Sequence, residues 1–132
     1  MSSVQNYVLT LKNRAVGFDV HSFKQLILRN NGYTRELNPL EYFIKPLADG
    51  MAAKMSELFG SIYKSMSSSE LFECSGSADD WFYEKAGIPG FTIELRDQGR
   101  FGFLLPKQQI KPTGQELFAG IIEALNHLKR QK

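Results

Sequence analysis

Apolar residues recur at two different periods along this chain, and the switching between them sets the expected architecture. Val4, Tyr7, Val8 and Leu11 follow helical spacing, which predicts an amphipathic helix over residues 3–13. Val16, Phe18 and Val20 then alternate with Gly17 and Asp19, the period of a strand that delivers His21 at its C-terminal end. An apolar run at residues 25–28 is stopped by Asn30-Asn31-Gly32, which has turn chemistry. Leu47, Met51, Met55 and Leu58 predict a helix over residues 46–59, with Pro46 in its first turn and Gly60 at its C-terminal cap. The serine-rich stretch 65–69 reads as a loop, residues 71–74 as a short strand, and residues 78–85 as a short helix ended by Gly87. Residues 91–95 have strand propensity. A last helix follows Pro112, with Thr113 and Glu116 spaced as a capping box. Its apolar stripe is Leu117, Ile121, Ala124, Leu125 and Leu128, and Lys129, Arg130 and Lys132 form a solvated end that suits the helix dipole. Strands alternating with helices indicate an α/β layer architecture.

Composition narrows the function classes. A chain of 132 residues is one domain's worth, enough to bury roughly two-thirds of its unfolded surface. Sixteen Lys and Arg against 14 Asp and Glu give a net charge of +2, too balanced to point to nucleic acid or a membrane as partner. No apolar run approaches the ~20 residues needed to span a bilayer. Gln5, Asn6, Lys12, Asn13 and Arg14 break up the N-terminal stretch, so it does not read as a signal peptide. One cysteine, Cys74, excludes an internal disulfide. Flanked by Glu73 and Ser75 with no histidine nearby in sequence, it reads as a small buried residue and not a nucleophile.

Four residues could carry chemistry. Glu94 lies mid-strand in Phe91-Thr92-Ile93-Glu94-Leu95-Arg96-Asp97. A carboxylate inside an apolar strand is costly to bury unless paired, so it is either solvent-facing, paired with Arg96, or functional. His21 is one of two histidines, the other being His127. Alone it is a structural histidine or one ligand of a metal whose other donors lie elsewhere. Asp79 and Asp80 suit the first turn of the short helix.

Residues 75–112, SGSADDWFYEKAGIPGFTIELRDQGRFGFLLPKQQIKP, place an acidic turn, an aromatic helix, a strand with a glutamate and a glycine-punctuated loop in one order. Together with Val20-His21-Ser22-Phe23 and the last helix, this order resembles the C-terminal catalytic region of the zinc-dependent carboxypeptidases of the A/B family. The resemblance covers nearly all of the chain. It implies a mixed β-sheet flanked by α-helices, with residues 1–132 as the C-terminal part of a catalytic domain whose N-terminal zinc-binding part is absent. It implies zinc as cofactor of the complete domain, peptide or protein C-termini as partners, and an exposed sheet edge open to self-association. A full-length protein following the family would be secreted or vesicular.

The same resemblance implies residue roles. Glu94 stands where the family has the general base that activates zinc-bound water, and His21 where it has its third zinc ligand. The other two ligands are a histidine and a glutamate three residues apart. Here His21 is followed at that spacing by Lys24, and His127 by Arg130. Ser22 and Phe72 fall at substrate-binding positions. Phe72 replaces a tyrosine that contacts the substrate's terminal carboxylate, and Phe23 also replaces a tyrosine. Asp79 stands at the base of the specificity pocket, where an aspartate implies preference for C-terminal lysine or arginine. None of Arg14, Arg29 or Arg35 lies in a motif matching the family's substrate-binding arginines. The implied activity is removal of single C-terminal residues, with the isolated chain inactive. The alternative is a non-catalytic peptide-binding relative that has lost its zinc site.

Overall fold

The computed structural model describes residues 2–131. Its elements in chain order are α1 (Ser2–Thr10), β1 (Gly17–Ser22), β2 (Leu26–Arg29), α2 (Glu41–Phe59), β3 (Lys64–Ser67), α3 (Ser68–Leu71), α4 (Ala78–Glu84), β4 (Gly90–Leu95) and α5 (Ile110–Arg130). Lys132, grouped above with the basic helix end, lies outside the described residues.

The four strands form one mixed sheet in the order β1-β4-β2-β3. β1 runs parallel to β4, β2 runs antiparallel to β4, and β3 runs parallel to β2. Alternation along each strand gives the sheet two unlike faces. One presents Ile27, Phe91 and Ile93 to Ile44, Leu47, Met51 and Met55 of α2 and Ala124 of α5, all buried, and this is the core. The other presents Asp19, His21, Leu28, Thr92 and Glu94, and it is open. β1 and β3 are the edges, and Val20 on β1 remains 44% exposed.

Three elements depart from the expectation. Helix α2 begins at Glu41, so Pro46 lies inside it. Asn38 starts the helix, its side-chain oxygen accepting from Leu40 N–H at 2.8 Å and its carbonyl from Glu41 N–H at 2.9 Å. The added turn buries Ile44 completely. That burial is worth ~2–3 kcal/mol, comparable to the ~3 kcal/mol that an interior proline costs.

The serine-rich stretch is not a loop. It forms β3 and α3, while residues 71–74 are not a strand. Serine is tolerated because its hydroxyls find partners. Ser67 Oγ donates to the Asn31 carbonyl at 2.9 Å, and Ser67 with Glu70 makes a capping box for α3. Leu71 then ends that helix, and the chain runs on through an extended Phe72.

Helix α5 begins at Ile110, ahead of Thr113. Thr113 Oγ1 donates back to the Gln109 carbonyl at 2.6 Å and caps nothing. Glu116 is drawn inward instead by Arg96, whose guanidinium it pairs with in a fully buried site. Of the expected stripe, Ala124 is buried and Leu117 and Leu128 pack on the core, whereas Leu125 faces solvent. Gly120 lets α5 pack closely on α2, since a Cβ there would lie 2.7 Å from Met55 Sδ.

Candidate active site

The parallel register of β1 and β4 sets His21 opposite Glu94 and Asp19 opposite Thr92. Because these pairs share parity, all four side chains leave the open face of the sheet. They line one cleft of about 610 Å³, walled by apolar side chains from α1, α3 and α4, among them Val4, Leu71, Trp81 and Phe82. Its position at the carboxyl end of parallel strands is where α/β folds gather their binding groups.

Glu94 is half-buried, and its Oε2 has no hydrogen-bond partner. Arg96 does not neutralise it, being committed to Glu116. Burial pushes the Glu94 carboxyl above the ordinary glutamate value, and the nearby His21 and Lys24 offset part of that rise. The result is a carboxylate with enhanced proton affinity and a free oxygen, the properties of a general base. His21 is about half exposed, and its Nε2 lies 2.8 Å from Asp19 Oδ2.

Asp79 lies within the same cleft, 1% exposed at the first turn of α4. Ser68 Oγ donates to its Oδ2 at 2.6 Å and Thr92 Oγ1 to its Oδ1 at 3.3 Å. The α4–β4 approach that seats it requires Gly90, where a Cβ would fall 2.6 Å from the Asp79 carbonyl oxygen. Asp80 faces elsewhere. Both its oxygens accept the Gly32 N–H, at 3.0 and 3.1 Å, so it holds the 30–32 turn against α4.

Phe72 is an exposed residue lining the cleft. Ser22, of opposite parity to His21, does not line it. The fold therefore brings His21, Phe72, Asp79 and Glu94 together and leaves Ser22 apart. Cys74 also lines the cleft, and burial raises its thiol above the usual range.

Of the polar residues lining the cleft, Asp19 and Thr92 on the strands and Ser68 beneath Asp79 were not expected. Two had a signal in the period, since Asp19 precedes His21 by two residues and Thr92 precedes Glu94 by two, which on strands means a shared face. Ser68 had none, because its role depends on α3 lying beside α4.

The residues of this chain do not make a complete zinc site. His21 supplies one nitrogen donor, and among the described residues no three His, Cys, Asp or Glu side chains converge as a metal site. A catalytic zinc takes three protein ligands.

Residues 1–120 match the model of the family described as Peptidase_M14, zinc carboxypeptidase. Bovine carboxypeptidase A1 is 34% identical over 128 residues, covering 96% of this chain and 30% of that protein. Bovine carboxypeptidase B is 34% identical over 119 residues, covering 89% of this chain and 28% of that protein. The chain thus spans about 30% of the length of these curated relatives. Among solved structures, thrombin-activatable fibrinolysis inhibitor superposes with a TM-score of 0.91 at 27% identity, over 99% of this chain and 33% of that one. The α/β architecture, the mixed sheet and the site-bearing segments all lie within the matched residues, and the chain belongs to the zinc carboxypeptidase family.

Proposed function

We propose that this chain is the C-terminal part of the catalytic domain of a metallocarboxypeptidase that releases C-terminal lysine or arginine from peptides. The observation that carries the reading is the parallel register that sets His21 against Glu94 over a cleft also lined by Asp79. In the complete domain Glu94 takes a proton from the attacking water and returns it to the leaving amine, which a raised proton affinity favours near neutral pH. Asp79 accepts from a basic side chain seated in the cleft, where desolvation strengthens the pairing. His21 is one of three zinc ligands. Zinc, when bound, supplies Lewis-acid polarisation of the carbonyl and acidification of water.

Carboxypeptidases A and B match this chain at the same identity, so the basic preference rests on Asp79. The chain alone lacks the donors for zinc and is therefore inactive. Its partners are peptide C-termini and, through the β1 edge, other copies of itself.

The test is a chimera in which the N-terminal part of bovine carboxypeptidase B supplies the remaining ligands. It is expected to release arginine from benzoylglycyl-arginine in preference to phenylalanine from the matching substrate. Glu94→Gln should lower kcat/KM by roughly 10²–10⁴, and Asp79→Ile should reverse the preference. A zinc-loaded chimera that keeps its arginine preference in Asp79→Ile would sink the specificity assignment. Undiminished turnover in Glu94→Gln would sink the base. Zinc bound stoichiometrically by the 132-residue chain would overturn its inactivity.

A further inference from the structure

A second cavity, of about 200 Å³, opens where β2 and β3 end, with Arg29 and Ser67 among the residues that line it. Both strands run against β4, so it lies at the end of the sheet away from Glu94. Asn30 also lines it, 1% exposed, and its Oδ1 has no hydrogen-bond partner among the described residues. Backbone groups fix the amide orientations around it. Asn31 Nδ2 donates to the Glu36 carbonyl at 3.0 Å, and Asn38 Oδ1 accepts from Leu40 N–H at 2.8 Å. Asn31 Oδ1 therefore faces Asn38 Nδ2 at 3.2 Å and Asn30 Nδ2 at 3.5 Å. Turning the Asn30 amide over would set two oxygens against each other, so the unmatched group is an acceptor that lacks a donor. Such a buried acceptor is uncommon in folded proteins and calls for an explanation.

Charge decides which donor suits it. Arg29 is paired with Glu41 at 2.6 Å, and Arg35 with Glu73, which does not line the cavity, at 2.7 Å. Glu36 and Glu70 line it, and among the described residues neither forms an ion pair. Glu70 Oε2 accepts the Ser67 N–H at 2.6 Å, which holds that carboxylate in place. The volume equals roughly six or seven waters at ~30 Å³ each, room for one small organic ion.

We propose that this cavity binds a guanidinium group, whose N–H groups donate to Asn30 Oδ1 and whose charge is met by Glu36 and Glu70. A guanidinium carries donors and no acceptor, so it matches a site whose unmet group is an acceptor and whose unpaired charges are negative. Free arginine and an arginine side chain within a peptide both present that group. Helix α3 separates the site from the cleft, since Ser67, Ser69 and Glu70 line the one and Ser68 the other. The inference therefore stands apart from the role given to Asp79.

The 132-residue chain, labelled with ¹³C and ¹⁵N, is titrated with methylguanidinium chloride while the Asn30 carboxamide is followed, by magic-angle spinning if the chain associates. Tetramethylammonium and potassium chlorides, which bring charge without N–H, are the controls. The expected result is a saturable shift at Asn30 and its neighbours with a millimolar Kd, and no matching shift from either control. Asn30→Leu should weaken binding roughly tenfold or more. Glu36→Gln combined with Glu70→Gln, both at exposed positions, should weaken it roughly threefold to tenfold and decides the matter if Asn30→Leu does not fold. L-arginine and acetyl-glycyl-arginyl-glycine amide separate the sources, the tighter binder naming the ligand. No saturable shift, an equal response to potassium, or shifts confined to Asp79 and Thr92 would overturn the proposal. So would undiminished affinity in the glutamine pair, or failure of both arginine ligands to move Asn30.

Discussion

Replacing Glu116 by alanine isolates the interaction that locks β4, and with it Glu94, onto the helical layer. Arg96 points its fork at this carboxylate, with Nε donating to Oε2 at 2.8 Å and Nη2 to Oε1. Tyr63 OH also donates to Oε2 at 3.0 Å, and Nη1 of Arg96 reaches Gln109 Oε1 at 2.8 Å. Glu116 is 0% exposed and the Arg96 side chain 10%. Removing the carboxylate strands a guanidinium with one neutral acceptor and leaves a phenol without a partner. Breaking a buried pair from one side costs ~3–5 kcal/mol, and an orphaned hydroxyl adds ~1 kcal/mol or more. The two losses overlap, so Glu116→Ala should lose about 4 kcal/mol, between roughly a quarter and four-fifths of the margin of a domain stable by ~5–15 kcal/mol. Glu116→Gln, which keeps an acceptor, should lose less. Arg96→Met with Glu116→Leu should recover most of the loss, because an apolar pair of similar volume avoids the desolvation. Urea unfolding measures these variants, and adding Arg96→Met and Glu116→Leu singly closes a double-mutant cycle with the wild type and the double variant. A loss below ~1 kcal/mol in Glu116→Ala, or a double variant as unstable as the singles, would refute the reasoning.

Gly90→Ala should be far worse than Gly120→Ala. At Gly90 the new methyl meets the Asp79 backbone oxygen at 2.6 Å, which cannot yield, whereas at Gly120 it meets the flexible end of Met55 at 2.7 Å. Thermal unfolding should show a loss of ~1–3 kcal/mol for the first and less for the second, and equal losses would contradict the packing described. Glu94→Gln should stabilise the chain at pH 7, because burial raises the folded carboxyl above its unfolded value. A raised acid is best accommodated below its unfolded pKa and disfavours folding as pH rises through the folded value, so the gain should vanish near pH 4, and a gain that persists there would show another cause. The free edge of β1, with Val20 44% exposed, should make the isolated chain associate with rising concentration, and Val20→Lys should reduce that. A wild-type monomer in sedimentation with one sharp, concentration-independent transition would defeat this.

The elements that the pattern of apolar residues located well are those whose environment is set locally or by a uniform face. β4 alternates Phe91 and Ile93 into the core with Thr92 and Glu94 out of it, and that alternation is visible without coordinates. The misjudged boundaries share one cause, which is that a residue with an evident local role was claimed by a distant partner. Thr113 and Glu116 have capping spacing, but the buried Arg96, just past the end of β4, binds the glutamate far more strongly than an N-terminal backbone N–H would. Pro46 suits a first turn, but Ile44 ahead of it is buried in the core. The serines of β3 and α3 lack strand propensity, yet Ser68 and Ser67 serve Asp79 and the 31 carbonyl. Propensity yields to tertiary hydrogen bonding at such places.

The site divides along a similar line. His21, Asp79 and Glu94 were legible only because their surrounding residues resemble a family; composition alone left each with an ordinary structural role. What the coordinates add is the relation between them, and it follows from register. One residue of slip between β1 and β4 would put His21 opposite Ile93 or Leu95 and turn it from the face that bears Glu94. The registers of the core face and of the cleft are therefore one quantity. Phe18 stacks beside Phe91 with ring centroids 6.2 Å apart, and the same two strands hold Asp19 by Thr92 and His21 by Glu94. Burial on one side of the sheet thus fixes chemistry on the other. Variants that disturb Phe91, which does not line the cleft, should for that reason impair the cleft without touching a group in it.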